Sequence, residues 1–165
     1  MKTILFVLIG TLAAAGILAW AARPGGTPLA TPMSDIAAPG PLEPSETSFD
    51  FGTISMAAGT VRHRIAVTNT GASSVTLGKT YTSCMCTSVS LDHAGRKYGP
   101  YGMLGHGFIP RVNASVAPQD TASLIITFDP AAHGPSGVGP IQRTVTMEND
   151  AGTPVVVSFT ANVTP

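Results

Sequence analysis

The chain has 165 residues, and its nine lysines and arginines balance nine aspartates and glutamates, which gives a formal net charge of zero at pH 7. The basic residues are scattered along the sequence, so there is no positively charged patch of the kind that binds nucleic acid, and we expect no nucleic-acid partner. Glycine, proline, threonine, valine and serine are plentiful, whereas long helical patterns of glutamate, lysine and leucine are absent, which favours strands and turns.

The first segment of the chain is hydrophobic. Residues 4–22 form an apolar run, about long enough to cross the ~30 Å hydrocarbon layer of a bilayer as a helix. Lys2 and Trp20 suit the two ends of a membrane anchor, whereas Ala19-Trp20-Ala21 also suits cleavage of a signal peptide. We therefore predict that residues 1–22 are a transmembrane anchor or a signal peptide. The rest of the chain is then extracytoplasmic, held at the cell membrane by a single span, or secreted if the leader is removed.

Residues 23–46 are rich in proline, glycine and alanine and have no hydrophobic periodicity. Such a composition is typical of a semi-extended linker. We expect this segment to hold a single domain, residues 47–165, away from the membrane. A domain of roughly 120 residues can bury a substantial core without help from a disulfide.

Residues 47–165 contain short stretches in which apolar and polar side chains alternate, which is the pattern of half-buried β-strands. Arg143 interrupts the apolar side of one of them. Turn residues separate the stretches, and no helical pattern intervenes. The sequence therefore predicts an all-β fold, an immunoglobulin-like antiparallel β-sandwich preceded by one hydrophobic helix and a proline-rich linker. The predicted strands are 49–54, 61–67, 74–90 (one strand or two), 121–128, 141–148 and 155–163.

The two cysteines of the chain, Cys84 and Cys86, lie one residue apart in the predicted strand 74–90. Side chains alternate between the two faces of an extended strand. Met85 shares its parity with apolar residues such as Val89 and Leu91, so we expect Met85 to point inward and both thiols to point toward the polar side.

Two connections are too long for simple turns. One is an insertion at residues 92–117, and the other spans residues 130–140. Long irregular loops are uncommon in compact domains and often serve a function.

Four sequence features follow one another along the chain: Phe49-Asp50-Phe51-Gly52-Thr53-Ile54, residues Val61 to Val67 with Asn69-Thr70-Gly71, Ser83-Cys84-Met85-Cys86-Thr87, and Phe128-Asp129-Pro130. In this order they resemble a known family, the bacterial domain of unknown function fifteen-seventy-three. The resemblance spans residues 47–165 and implies an immunoglobulin-like sandwich, related to pilus-chaperone and sperm-protein-like domains, usually extracytoplasmic, with no established activity. The sequence departs from the family pattern in two places: Met85 stands where glycine is more frequent, and the insertion at 92–117 is longer than usual.

Both long connections carry a histidine among glycines and prolines, and the first also carries a methionine. Met103 and His106 lie in the insertion, and His133 lies in the second connection. If the loops converge on Cys84 and Cys86, these five residues form a soft-donor set. Thiolate and thioether ligands select copper(I), whereas two cysteines with His106 and His133 would suit zinc. We therefore predict a metal site, with copper favoured over zinc.

Two other readings of the cysteines stay open. Residues i and i+2 of a flat strand lie about 6.6–6.8 Å apart, which is near the limit for a disulfide, so a Cys84–Cys86 bond would need a bend in the chain. The thiols can also be free and simply packed, as buried cysteines often are.

The sequence contains no nucleophile elbow, phosphate-binding loop or paired carboxylates, so we expect no enzymatic activity. The leading hypothesis is a membrane-tethered, extracytoplasmic immunoglobulin-like binding or scaffold domain that carries a copper site. The alternatives are a copper carrier or metal-resistance protein, a thiol-redox protein, and a structural envelope protein whose sheet edge pairs with an unidentified protein partner.

Overall fold

The computed structural model describes residues 40–165 of the chain. The hydrophobic helix predicted at 1–22 lies outside the described residues, as does most of the segment predicted as a linker. Within residues 40–165, no helix has the length and apolar character that crossing a membrane requires.

Ten β-strands make up the described part of the chain, together with two short 3-10 turns at Met56–Ala58 and Gly134–Gly137. No α-helix occurs among these residues, and the predicted all-β class is confirmed. The strands are β1 (Leu42–Pro44), β2 (Ser48–Ser55), β3 (Val61–Asn69), β4 (Val75–Thr82), β5 (Thr87–His93), β6 (Arg96–Tyr101), β7 (Ser115–Val116), β8 (Thr121–Phe128), β9 (Gly139–Asn149) and β10 (Val155–Thr164).

The strands form two five-stranded sheets. The first has the order β1-β3-β8-β5-β6, and the second has the order β2-β10-β9-β4-β7. The prediction of a purely antiparallel sandwich needs one correction, because β2 and β10 pair in parallel and the second sheet is therefore mixed. Hydrophobic alternation gives no information on strand direction, so the sequence could not show that β2 and β10 pair in parallel.

The apolar sides of both sheets form one core. Ile65 and Leu124 of the first sheet and Met147 and Phe159 of the second are at most 1% exposed. Each such side chain contributes roughly 1.5–3 kcal/mol through burial. The core is thus built from the alternating residues that predicted the strands.

The first strand lies inside the segment predicted as a linker. β1 pairs antiparallel with β3, with Leu42 opposite Asn69 and Pro44 opposite Val67. The sandwich therefore begins before residue 47. Three residues that include a proline are too few to produce a visible alternation.

A β-bulge in β4 changes which residues face the core. The register of β4 against β9 shifts between Leu77 and Thr80. Val75 and Leu77 are buried before the shift, whereas Thr80 and Thr82 are buried after it. A bulge inserts one extra residue into a strand, so the inward-facing parity changes from odd to even numbers. Gly78 lies at the bulge, a common position for glycine within a strand.

The insertion at 92–117 is more regular than expected. It contains β6 and β7, and the chain between them runs along the outer edge of β4, with bridges from Lys79 to Arg111 and from Thr82 to Met103. The insertion thus covers a sheet edge that would otherwise present unpaired backbone groups.

Candidate functional site: the disulfide turn

The two cysteines lie in a tight turn between β4 and β5. Residues 83–86 carry the chain from the second sheet to the first. Cys84 and Cys86 are joined by a disulfide, and their Cα atoms lie 5.2 Å apart. That separation is shorter than the two-residue step of a flat strand, so the turn supplies the bend that such a bond needs. Neither cysteine is free.

The predicted orientation of this stretch was wrong. Met85 is 60% exposed, whereas Cys84 is 7% exposed and Cys86 is 3% exposed. The bulge at Gly78 has already reversed the parity of β4, and the turn then removes the extended geometry on which alternation depends. The sulfurs therefore lie at the margin of the core, and the methionine between them faces solvent.

Hydrogen bonds from both sheets hold the turn in place. The buried hydroxyl of Thr82 lies 2.9 Å from the carbonyl oxygen of Cys84 and 3.1 Å from that of Thr87. On the other side, Ser83 N donates to Thr144 O at 3.0 Å, and Thr144 N donates to Ser83 Oγ at 2.9 Å. These contacts fix the turn independently of the disulfide.

The β8–β9 connection brings His133 to the first sulfur. His133 Nε2 lies 3.2 Å from Cys84 Sγ, and the imidazole is exposed to solvent. The connection is anchored at its start, where Asp129 N donates to Cys86 O at 2.9 Å. It is anchored again beyond the histidine, where Ser136 Oγ donates to His133 O at 2.7 Å. The second long connection therefore reaches the cysteines at this residue.

Arg143 of β9 contacts the second sulfur, and sequence reasoning did not assign it to the site. Its Nε donates to Cys86 Sγ at 3.4 Å, and its Nη1 donates to Gln142 O at 2.7 Å. The hydroxyl of Thr87 lies 3.6 Å from the same sulfur. The sequence did mark Arg143 as unusual, because it interrupts the otherwise apolar side of its strand.

The structure brings together three of the five predicted ligands. The ligand atoms of Cys84, Cys86 and His133 all lie within 4.8 Å of one another. His106 does not join this group among the described residues. Instead, His106 and Met103 line a separate surface depression of about 270 Å³ within the insertion.

Tyr101 forms part of that depression and is largely buried. Burial raises the pKa of its phenol, and the neighbouring Tyr98 raises it further. The group therefore remains neutral near pH 7 and gives the depression no charge.

A second methionine approaches the site from the β2–β3 turn. A Cβ atom at Gly137 would lie 3.1 Å from His133 Cβ and 3.6 Å from Met56 Cε. The side chains of His133 and Met56 thus both lie close to this glycine. The residues lie 77 positions apart (133 minus 56), so no local pattern could reveal the pairing.

Comparison with known proteins supports the fold and the resemblance noted in the sequence. The sequence model of a family described as "Protein of unknown function (DUF1573)" matches residues 42–114, a range that includes the disulfide turn. No curated protein matches the chain significantly.

Three solved structures illustrate the structural similarity. A protein of unknown function from Porphyromonas gingivalis W83 is 17% identical with a TM-score of 0.56, and the match covers 74% of this chain and 46% of that one. A family 123 glycoside hydrolase from Clostridium perfringens is 8% identical with a TM-score of 0.51, over 71% of this chain and 22% of that one. The PapD-like domain 7 of human CEP192 is 15% identical over 76% of this chain and 86% of that one, but its TM-score of 0.46 is too low to support an argument.

This chain therefore spans less than half the length of the first two proteins. At these identities the similarity establishes the architecture alone. Together, the comparisons support a β-sandwich with a match to a domain of unknown function, and they assign no activity.

Proposed function

We propose that the chain is a membrane-tethered, extracytoplasmic thiol–disulfide redox protein and that the Cys84–Cys86 disulfide is its reactive bond. The hydrophobic run at residues 4–22 and the proline-rich segment after it support the tethered arrangement. Disulfides persist in oxidising compartments outside the cytoplasm, which agrees with that location. We expect the domain to exchange electrons with a protein partner and not to act as an enzyme on a small substrate.

The proposal rests on the basic side chains that contact the two sulfurs. His133 Nε2 lies 3.2 Å from Cys84 Sγ, and Arg143 Nε lies 3.4 Å from Cys86 Sγ. A disulfide carries no charge and gains little from the Arg143 guanidinium beside Cys86, whereas the His133 imidazole can take a proton from an attacking thiol. A thiolate gains much more, and cationic groups are typical neighbours of cysteines that take part in exchange.

A purely structural role for this bond is weakly supported. The Cys84–Cys86 bond closes a loop of three residues. In the chain-entropy estimate such a loop contributes about 1.6 kcal/mol, against about 3 kcal/mol for a loop of 15 residues. The hydrogen bonds of Thr82 and Ser83 already hold the turn, so reduction of the bond should leave the sandwich folded.

The contacts assign a direction to the exchange. A thiol of the partner attacks Cys84 Sγ, and its proton passes to His133 Nε2. The bond between the sulfurs breaks, and its electron pair stays on Cys86 Sγ, where the resulting thiolate accepts the hydrogen bond from Arg143. A second thiol of the partner then loses its proton to solvent and attacks the partner's own sulfur in the mixed disulfide. The electron pair of that bond leaves on Cys84 Sγ, which takes the proton back from His133, so two electrons pass from a dithiol to this disulfide.

The exposed methionine suits contact with a protein partner. Met85 lies between the two cysteines in the turn and is 60% exposed. Methionine is flexible and polarisable, and it adapts to different apolar surfaces. A protein dithiol with an apolar neighbour fits this position better than a small charged thiol.

The test is a redox titration of the full chain in detergent. The protein is equilibrated with dithiothreitol buffers of defined ratio and quenched with acid, and the alkylated thiols are counted by mass spectrometry. We expect a reversible two-electron transition with a midpoint above about −300 mV, the value below which structural disulfides typically lie. Circular dichroism should show the same sandwich in both states. A bond that is reduced only when the protein unfolds would refute the proposal.

A further inference from the structure

Reduction of the Cys84–Cys86 disulfide frees two thiols beside the imidazole of His133, and these three groups can act together as metal ligands. We propose that the reduced turn binds one copper(I) ion through Cys84 Sγ, Cys86 Sγ and His133. This inference rests on the proposed function, because the ligands become free only when the bond is reduced. The site differs from the five-residue set predicted from the sequence, since His106 does not join the group of ligands among the described residues and Met103 lines a separate depression.

The positions of the three ligands are compatible with one ion. Their donor atoms already lie within 4.8 Å of one another. Two sulfurs that each lie about 2.3 Å from a metal, at a trigonal angle, are separated by about 4 Å. The Cα atoms of the cysteines are 5.2 Å apart, so rotation about the Cα–Cβ bonds can separate the sulfurs while the backbone stays in place. The exposed imidazole of His133, on the β8–β9 connection, supplies the third ligand.

The type and number of donors favour copper(I) over zinc. Thiolates are soft ligands that select copper(I). A structural zinc ion almost always takes four protein ligands, and no fourth histidine, cysteine or carboxylate joins this group among residues 40–165. Met56, the methionine near Gly137 of the loop that carries His133, has a soft thioether and no hard donor.

The charge of the site leads to the same choice. Two thiolates and copper(I) carry a net charge of −1, which Arg143 beside Cys86 Sγ balances. Two thiolates and zinc(II) are neutral, so the guanidinium would remain uncompensated. A charge that is partly removed from water is costly unless it is paired.

The chemistry requires a reductant, and a protein or small-molecule dithiol is sufficient. The dithiol gives two electrons to the disulfide and becomes a disulfide itself, and both cysteines become thiols. Copper(I) then binds as the two thiol protons leave to solvent. Oxidation of the turn removes both thiolates, so the redox state of the bond controls whether copper is held.

The experiment is an anaerobic copper(I) titration of the full chain in competition with bicinchoninate. The disulfide is first reduced with a phosphine, and the excess reductant is removed. We expect one equivalent of copper(I) per reduced chain and none on the oxidised chain. X-ray absorption at the copper edge should show two sulfur scatterers and one nitrogen scatterer. Zinc that is titrated into the same reduced chain should bind more weakly than copper(I).

Variants separate the proposed ligands from the alternatives. Cys84→Ser, Cys86→Ser and His133→Ala should each weaken copper(I) binding at least about tenfold, a loss typical of disturbed metal sites. His106→Ala is the matched control and should leave the affinity unchanged. His133 and His106 are both exposed, so neither substitution should affect folding.

Two results would overturn the inference while the redox function stands. One is a chain that is reversibly reduced but binds copper(I) no more tightly than the Cys84→Ser variant. The other is an equal loss of affinity in the two histidine variants. A disulfide that resists reduction in the folded protein would instead overturn the redox function itself.

Discussion

Replacement of Arg143 by glutamine tests the charge that we place beside the reactive bond. The guanidinium donates to Cys86 Sγ at 3.4 Å and is held in place by a second bond to the carbonyl of Gln142. Glutamine preserves much of the side-chain length and its ability to donate, and removes the charge. Because the charge stabilises a thiolate and has little effect on a disulfide, its loss should favour the oxidised state.

The expected shift follows from the strength of this contact. Hydrogen bonds to charged groups contribute about 1.5–3 kcal/mol. Arg143 is partly exposed, and solvent screening reduces that contribution, so we take about 1–2 kcal/mol. For a two-electron couple 1.4 kcal/mol corresponds to about 30 mV. Arg143→Gln should therefore make the midpoint potential about 20–45 mV more negative.

The assay is the dithiothreitol titration at pH 9, above the ordinary cysteine pKa of about 8.5, where thiolates predominate. Arg111→Gln provides the control, because Arg111 is exposed and lies opposite Lys79 at the outer edge of β4. It removes the same charge without touching a sulfur. If both variants shift the potential equally, or if Arg143→Gln makes it less negative, the local role of the guanidinium is wrong.

Three further predictions concern the sandwich itself. Asn69→Ala should lower the free energy of unfolding, measured by urea titration, by about 2–4 kcal/mol. The amide nitrogen of Asn69 is fully buried and donates to two carbonyls, including that of Val116. A loss under about 1 kcal/mol would contradict this prediction. Leu124→Ala should lower the free energy of unfolding by about 2–5 kcal/mol, because the leucine side chain lies in the core. An unchanged urea midpoint would refute this prediction. The hydrogen bond from His93 holds the pKa of Asp120 below its ordinary value of 3.8, with help from a backbone N–H. The resulting stabilisation is present above pH 3.8 and is lost as the pH falls through the lowered pKa, so Asp120→Asn should lower the melting temperature at pH 7 and have less effect near pH 2.

Hydrophobic alternation predicted the strands that build the core and failed where the chain departs from regular extended geometry. All six predicted regions contain a strand. The predicted orientation of Met85 was wrong because a bulge near Gly78, seven residues earlier in the sequence, had reversed the parity of β4. A single glycine within a strand pattern is the only local sign of that change. The reversed parity persists through Thr82, and the turn then restores the original one, because Val89 and Leu91 are buried as predicted.

The candidate site could be predicted only in part, for a related reason. Cys84 and Cys86 were recognised by their chemistry, and His133 was recognised because its loop is long and rich in glycine and proline. His106 met the same criteria, yet its loop follows the edge of β4 and lines a different depression. Sequence spacing does not fix the path of a long connection. Arg143 was visible as an exception in an apolar strand, but its partner at Cys86 is 57 residues away.

The topology places the reactive turn at the end of the sandwich opposite the point where the chain enters. β1 pairs at the end of β3 that contains Asn69, whereas Val61, at the other end of β3, lies opposite Phe128. Phe128 is followed by Asp129, which hydrogen-bonds to the disulfide turn. The nine residues of β3 span roughly 30 Å at about 3.3 Å per residue. The disulfide turn and β1 therefore lie near opposite ends of β3, so a substitution in β1 should not change the contacts of His133 and Arg143 with the sulfurs.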